Sequence, residues 1–152
     1  MISFLNRWIH VAAMAVIFGG SILMWAAARR YRSGSEDLPG SDALLLLSRQ
    51  YEWLFWGGLG LLALTGIGNL GNFGANLPGP ISPWGGRLLT KLTLVLLLAL
   101  FSAIRTWVVA GLGAGTENPP SGKTAGLLQN LYAGTSLFIV VILVLAVSLS
   151  HA

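Results

Sequence analysis

Few side chains in this sequence are equipped for chemistry, and the first of them is His10, set inside "LNRWIHVAAMAVIFGGSILMWAAARR". Its imidazole offers a lone pair to a metal or a haem iron, or a station for a moving proton. Met14 follows one helical turn later, and its thioether is a soft donor suited to Cu(I). Lys91 stands early in a second apolar segment, "GGRLLTKLTLVLLLAL". A charged lysine there must reach water, a lipid phosphate or an anionic ligand. An uncharged amine is free to ligate a metal. Asn69 and Asn72 add amides that can hydrogen-bond a bound group. Each residue also has a plainer use. A histidine near a surface bonds to interfacial carbonyls or water, an inward methionine fills core space, and a lysine stem snorkels to the interface.

Other chemistries lack their residues. Cysteine is absent, which removes disulfides, thiolate metal sites and thiol nucleophiles. No serine, histidine and carboxylate share a common depth, and no carboxylates pair. The stretch "SGKTAG" contains "GKT" but lacks the upstream glycine spacing and the preceding strand of a phosphate loop. No basic run is interleaved with aromatics, so nucleic acid is not expected as a partner.

The elements that must hold these residues are membrane helices. Hydrophobic residues make up 55% of the chain and charged residues only 9%, whereas soluble domains carry about 25% charged residues. The expected fold is all-α, an integral membrane four-helix bundle in one domain. Its spans should lie at about residues 8–28, 51–73, 88–112 and 127–148. The connections "RRYRSGSEDLPGSD", "GANLPGPISPWGG" and "GAGTENPPSGKTAG" are rich in turn formers. Ser41–Asp42 can cap a helix start, which would extend the second helix and put Arg49 and Glu52 in its interfacial turns.

Arg29, Arg30, Arg32, Arg49 and Lys123 fall on one side, with Arg105 just inside it; Arg7 and Arg87 fall on the other, with Lys91 one turn in. The basic surplus predicts that the first side is cytoplasmic, so both termini lie on the non-cytoplasmic side, as in a bacterial inner membrane. Trp8 and Trp84 would mark the outer interface. Trp25, Tyr31, Trp53, Trp56 and Trp107 would mark the inner one.

Helical periodicity aligns His10, Met14, Ile17, Ser21 and Met24 on the first helix, and Lys91, Val95, Leu98, Ser102 and Arg105 on the third. It also groups Thr65, Asn69 and Asn72 on the second helix, and Gln129, Tyr132 and Ser136 on the fourth. Two polar clusters follow. The outer one contains His10, Lys91, Asn69 and Asn72. The inner one contains Arg105, Gln129, Tyr132 and Ser136, with Arg105 reaching the inner interface or bonding to Gln129 and Tyr132. All five acidic residues belong to the cytoplasmic side, so no carboxylate is expected near Lys91.

The stretches "WIHVAAMAVIFGGSILM", "LLALTGIGNL" and "GGRLLTKLTLVLLLAL" resemble the four-helix membrane domain of the CopD copper-resistance family. The layout is also similar to the HemJ-type protoporphyrinogen oxidases. The CopD resemblance implies a role in moving copper across the inner membrane. The HemJ resemblance implies haem b, with His10 and Lys91 as the functional pair.

Three function classes follow. One is a haem-b redox protein, with His10 as axial ligand and Lys91 binding a propionate or serving as a second ligand; it would be a HemJ-like oxidoreductase if it turns over substrate at all. Another is a copper-handling protein that uses His10 and Met14. The last is a non-catalytic subunit of a larger respiratory or photosynthetic membrane complex. Expected partners are the lipid bilayer and either further copies of the chain or other membrane subunits.

Overall fold

The computed structural model describes residues 2–34, 41–71, 82–114 and 122–150, all but three of them helical. Four long helices follow in order: α1 (Ile2–Arg32), α2 (Ser41–Gly71), α3 (Pro83–Ala114) and α4 (Gly122–Ser150). Each is about 45 Å long at 1.5 Å per residue, the thickness of a bilayer with its headgroups. Local sequence explains the ends that are described. Ser82 accepts the Gly85 amide on its hydroxyl at 3.0 Å, and Pro83 takes the first helical position, where no amide proton is needed. α1 closes on Gly34, whose φ of 71° only glycine adopts without strain.

Three helices are long and apolar enough to cross a membrane, over Phe4–Arg32, Gly85–Leu112 and Lys123–Val147. Among the described residues α2 does not reach that standard. Its first half carries Ser48, Arg49, Gln50 and Glu52, and glycines dilute its second half. α2 also begins ten residues before the expected span at residues 51–73, with the Ser41 start that the capping signal predicted. Leu23, Leu64, Ile67, Leu137 and Val144 all stand more than 60% exposed. Apolar surface on this scale calls for lipid rather than water.

α1 is central to the packing, in extensive contact with α2 and α4, while α3 lies mainly on α4 and touches α2 more sparsely. The expected stripes do point inward. Ile17, Ser21 and Met24 are buried on α1, Leu98, Ser102 and Arg105 on α3, Thr65 on α2 and Tyr132 on α4. His10, Met14, Lys91, Val95, Gln129 and Ser136 are half-buried at the margins. The side chain of Asn69, with Asn72 and His151, lies outside the described residues, as does the Trp84 side chain.

Close approach of α1 to α2 depends on missing side chains. A methyl group at Gly20 would stand 2.5 Å from the Tyr51 ring, and one at Gly58 would stand 2.8 Å from Ile17. The Tyr51 hydroxyl donates to the Ile17 carbonyl at 2.9 Å, so its ring cannot swing aside without breaking that bond. Gly20→Ala is therefore expected to destabilise the protein by about 1–3 kcal/mol. Gly19→Ala, with nothing within 4 Å of the new methyl, should be neutral or slightly stabilising. Unfolding of the two variants in detergent, followed side by side, checks both.

Candidate functional site

Two polar clusters form, one toward each end of the helices. The cluster toward the Arg29–Arg32 end is built on Arg105, which is fully buried, and Glu52, which is 5% exposed. Arg105 Nε donates to Glu52 Oε1 at 2.7 Å and Nη2 donates to Oε2 at 3.0 Å, a side-on fork between α3 and α2. Nη1 donates to the Thr135 hydroxyl on α4 at 2.6 Å. The carboxylate collects two further donors, the Thr106 hydroxyl at 2.6 Å and the Tyr132 hydroxyl at 3.3 Å. Each oxygen of Glu52 thus has two donors. The guanidinium carbon lies 4.5 Å from the Phe55 ring centre, 5.3 Å from Tyr51 and 5.2 Å from Tyr132. Aromatic faces and hydroxyls replace the water that a buried ion pair gives up.

The sequence placed Glu52 in the interfacial turns of α2, and had Arg105 reach the inner interface or bond to Gln129 and Tyr132. The structure buries the Glu52 side chain and gives Arg105 other hydrogen-bond partners. Arg105 takes the carboxylate and Thr135, and meets Tyr132 only through the face of its ring. Gln129 instead accepts from Arg32 at 3.5 Å. The reason is rotational: Glu52 lies on the same α2 face as Tyr51 and Phe55, which turns it inward. One turn along α3 from Arg105, the Ser102 hydroxyl is buried with no hydrogen-bond partner among the described residues. Ser21 and Ser136 bond to each other at 2.8 Å.

The second cluster lies near the start of α1. His10 Nδ1 stands 2.7 Å from the Thr65 hydroxyl of α2. Asn6, one turn earlier, donates its amide to the Thr65 carbonyl at 2.9 Å. Gly66 lies under the ring, where a methyl would sit 3.8 Å from His10 Cε1. His10 Nε2 has no hydrogen-bond partner among the described residues. Lys91 is half-buried on α3, two turns from the start of that helix, as His10 is on α1. Glu52 is the only carboxylate whose side chain is described, and it lies thirteen residues from Thr65 on the same helix, about 20 Å away. Met14 packs against the apolar cluster that holds Ile17 and Leu98.

Thr65 is the hydrogen-bonding partner of the His10 ring, and Lys91 stands at the matching position two turns into α3. Sequence reasoning had grouped Thr65 with Asn69 and Asn72 without singling it out. Only the register between α1 and α2 could have done so. Among the described residues no three His, Cys, Asp or Glu side chains converge on one point. A metal at this end would rely on the imidazole, with the Met14 sulfur and the lysine amine as the other available donors.

The family model described as copper resistance protein D matches residues 45–149. No curated protein and no solved structure matches the chain significantly.

The ion pair generates a testable expectation of its own. Glu52→Gln leaves Arg105 charged and buried beside a neutral amide, and should cost about 3–5 kcal/mol. Replacing both partners, Glu52→Gln with Arg105→Met, should recover most of that loss because no uncompensated charge remains. Unfolding in detergent of the single and double variants measures the difference.

Proposed function

Because the chain belongs to the copper resistance protein D family, we propose that this membrane protein handles copper and that the metal is met at His10. The observation that carries the reading is the His10 ring itself, held at Nδ1 by Thr65 with Nε2 left open. A fixed imidazole with one free nitrogen is a ready metal ligand. Cu(I) accepts two or three donors, and the soft Met14 sulfur one turn away suits it. Copper is cargo in this reading, so a site of few ligands serves it, since the ion must leave again.

In this proposal α2 is the fourth span, and the four helices form one bundle in a bacterial inner membrane. The crowding of Arg29, Arg30, Arg32, Arg49 and Lys123 at the far end supports placing that end in the cytoplasm and His10 at the opposite face. Exposed Trp8 near the His10 end, and exposed Trp53 and Trp107 flanking the Glu52–Arg105 level, support the same two interfaces.

Lys91 favours a second reading. An ammonium at the level of the imidazole, with no described carboxylate at that end, would repel a bare cation and attract an anion. Haem b would supply the anion through a propionate and would take His10 Nε2 at its iron. Asn69 and Asn72 would be further contacts for the haem in this reading. Bound haem would supply one-electron redox chemistry. The chain would supply the axial nitrogen, the cation for the propionate and an apolar surround.

Two measurements on the detergent-purified protein separate these readings. Competition with a Cu(I) chelator should show binding that His10→Ala weakens by at least about tenfold, as expected for loss of a ligand. A visible haem spectrum that disappears in His10→Ala would replace copper by haem. A colourless protein that takes no Cu(I) would overturn both and leave the subunit of a larger membrane complex.

A further inference from the structure

We propose that Thr65 is a positioning residue for His10: its hydroxyl fixes the ring as the Nδ1–H tautomer and presents an unprotonated Nε2 to the bound group. The metal-binding consequence rests on the copper reading above. The assignment of the tautomer does not.

The case is one of counting protons. Thr65 Oγ1 lies 2.7 Å from His10 Nδ1 and 2.7 Å from the Leu61 carbonyl oxygen, with the Leu62 carbonyl at 3.2 Å. A hydroxyl has one proton. Two oxygens at 2.7 Å need a proton between them, and a carbonyl has none to give. The Thr65 proton therefore points at Leu61, back along its own helix. The contact with His10 needs a proton as well, and only the ring can supply it. Nδ1 donates, and in the neutral imidazole the lone pair falls to Nε2, which no described residue engages.

Thr65 is suited to the task because it cannot easily turn. It is 5% exposed, so water does not compete for its hydroxyl. Its branched side chain is held by the bond to the carbonyl four residues earlier. Asn6 and His10, one turn apart on α1, grip it at two points, the carbonyl and the hydroxyl. Gly68 allows that grip. A methyl at Gly68 would stand 3.0 Å from the Asn6 amide nitrogen. The segment "TGIGN" thus reads as a hydroxyl flanked by the room that α1 needs to close over it.

The test uses the full chain in detergent or bilayers with 15N-labelled histidine, in a His151→Gln background so that His10 alone is seen. The expected spectrum shows a protonated Nδ1 and an unprotonated Nε2. Thr65→Val keeps the shape and removes the hydroxyl; the Nε2–H form should then become the major one. Thr65→Ser should retain the original pattern. Cu(I) affinity should fall about 10–100-fold in Thr65→Val and recover in Thr65→Ser, the range seen when a ligand's hydrogen-bonding support is removed. An Nε2–H tautomer in the unmodified protein overturns the proposal even if Thr65→Val does not fold, and so does a Thr65→Val spectrum identical to the original. If the spectra follow expectation while neither Cu(I) nor haem binds, the copper and haem readings fall and the role of Thr65 stands.

Discussion

A carboxylate and a guanidinium withdrawn from water are tolerable only when every donor and acceptor finds a partner, and Glu52 and Arg105 organise the surrounding helices to that end. Their fork fixes the depth of α2 against α3. Thr135 brings in α4, and Tyr132 bonds to the same carboxylate from that helix. Tyr51 lies against the guanidinium with its ring and reaches α1 with its hydroxyl, at the Ile17 carbonyl. One ion pair thereby sets four helices relative to one another. Replacing such a pair with apolar residues is often no worse for stability. Its contribution here is register: once Tyr51 is placed on Ile17, Thr65 arrives under His10.

That chain of placements explains which features the sequence revealed. Helix existence and the inward stripes were legible, because apolar periodicity and turn-rich connections report directly on burial along a single helix. His10 and Lys91 could be matched in depth, since depth follows from counting residues along spans. Rotation and register between helices are different quantities. Glu52 is the second residue of its expected span, just before the apolar Trp53–Trp56 stretch, and a carboxylate so placed reads as interfacial. Its inward turn depends on Tyr51 and Phe55 being buried beside it, and on an arginine 53 positions away. Thr65 was grouped with two asparagines by helical spacing, but its partner is 55 positions distant. Contacts of that kind belong to tertiary packing and leave no local pattern.

The two clusters are separated by a layer that contains Ile17, Phe55, Leu98, Ile139 and Ile142, all buried. Among the described residues no hydrogen-bonded path crosses it. The serines Ser21, Ser102 and Ser136 reach partway from the Glu52 level and stop. The His10–Thr65 contact and the Glu52–Arg105 pair are thus two separate polar sites on the same four helices.

The two polar levels tie α2 to different neighbours. Of the helix pairs in substantial contact α2 and α3 meet most sparsely, and polar bonds join them at the Glu52 level: the Arg105 fork, the Thr106 hydroxyl, and the Trp56 indole donating to Thr106 at 2.9 Å. The Thr65 contact with His10 lies on another face of α2, against α1, so the one helix carries the ion pair toward α3 and the histidine partner toward α1.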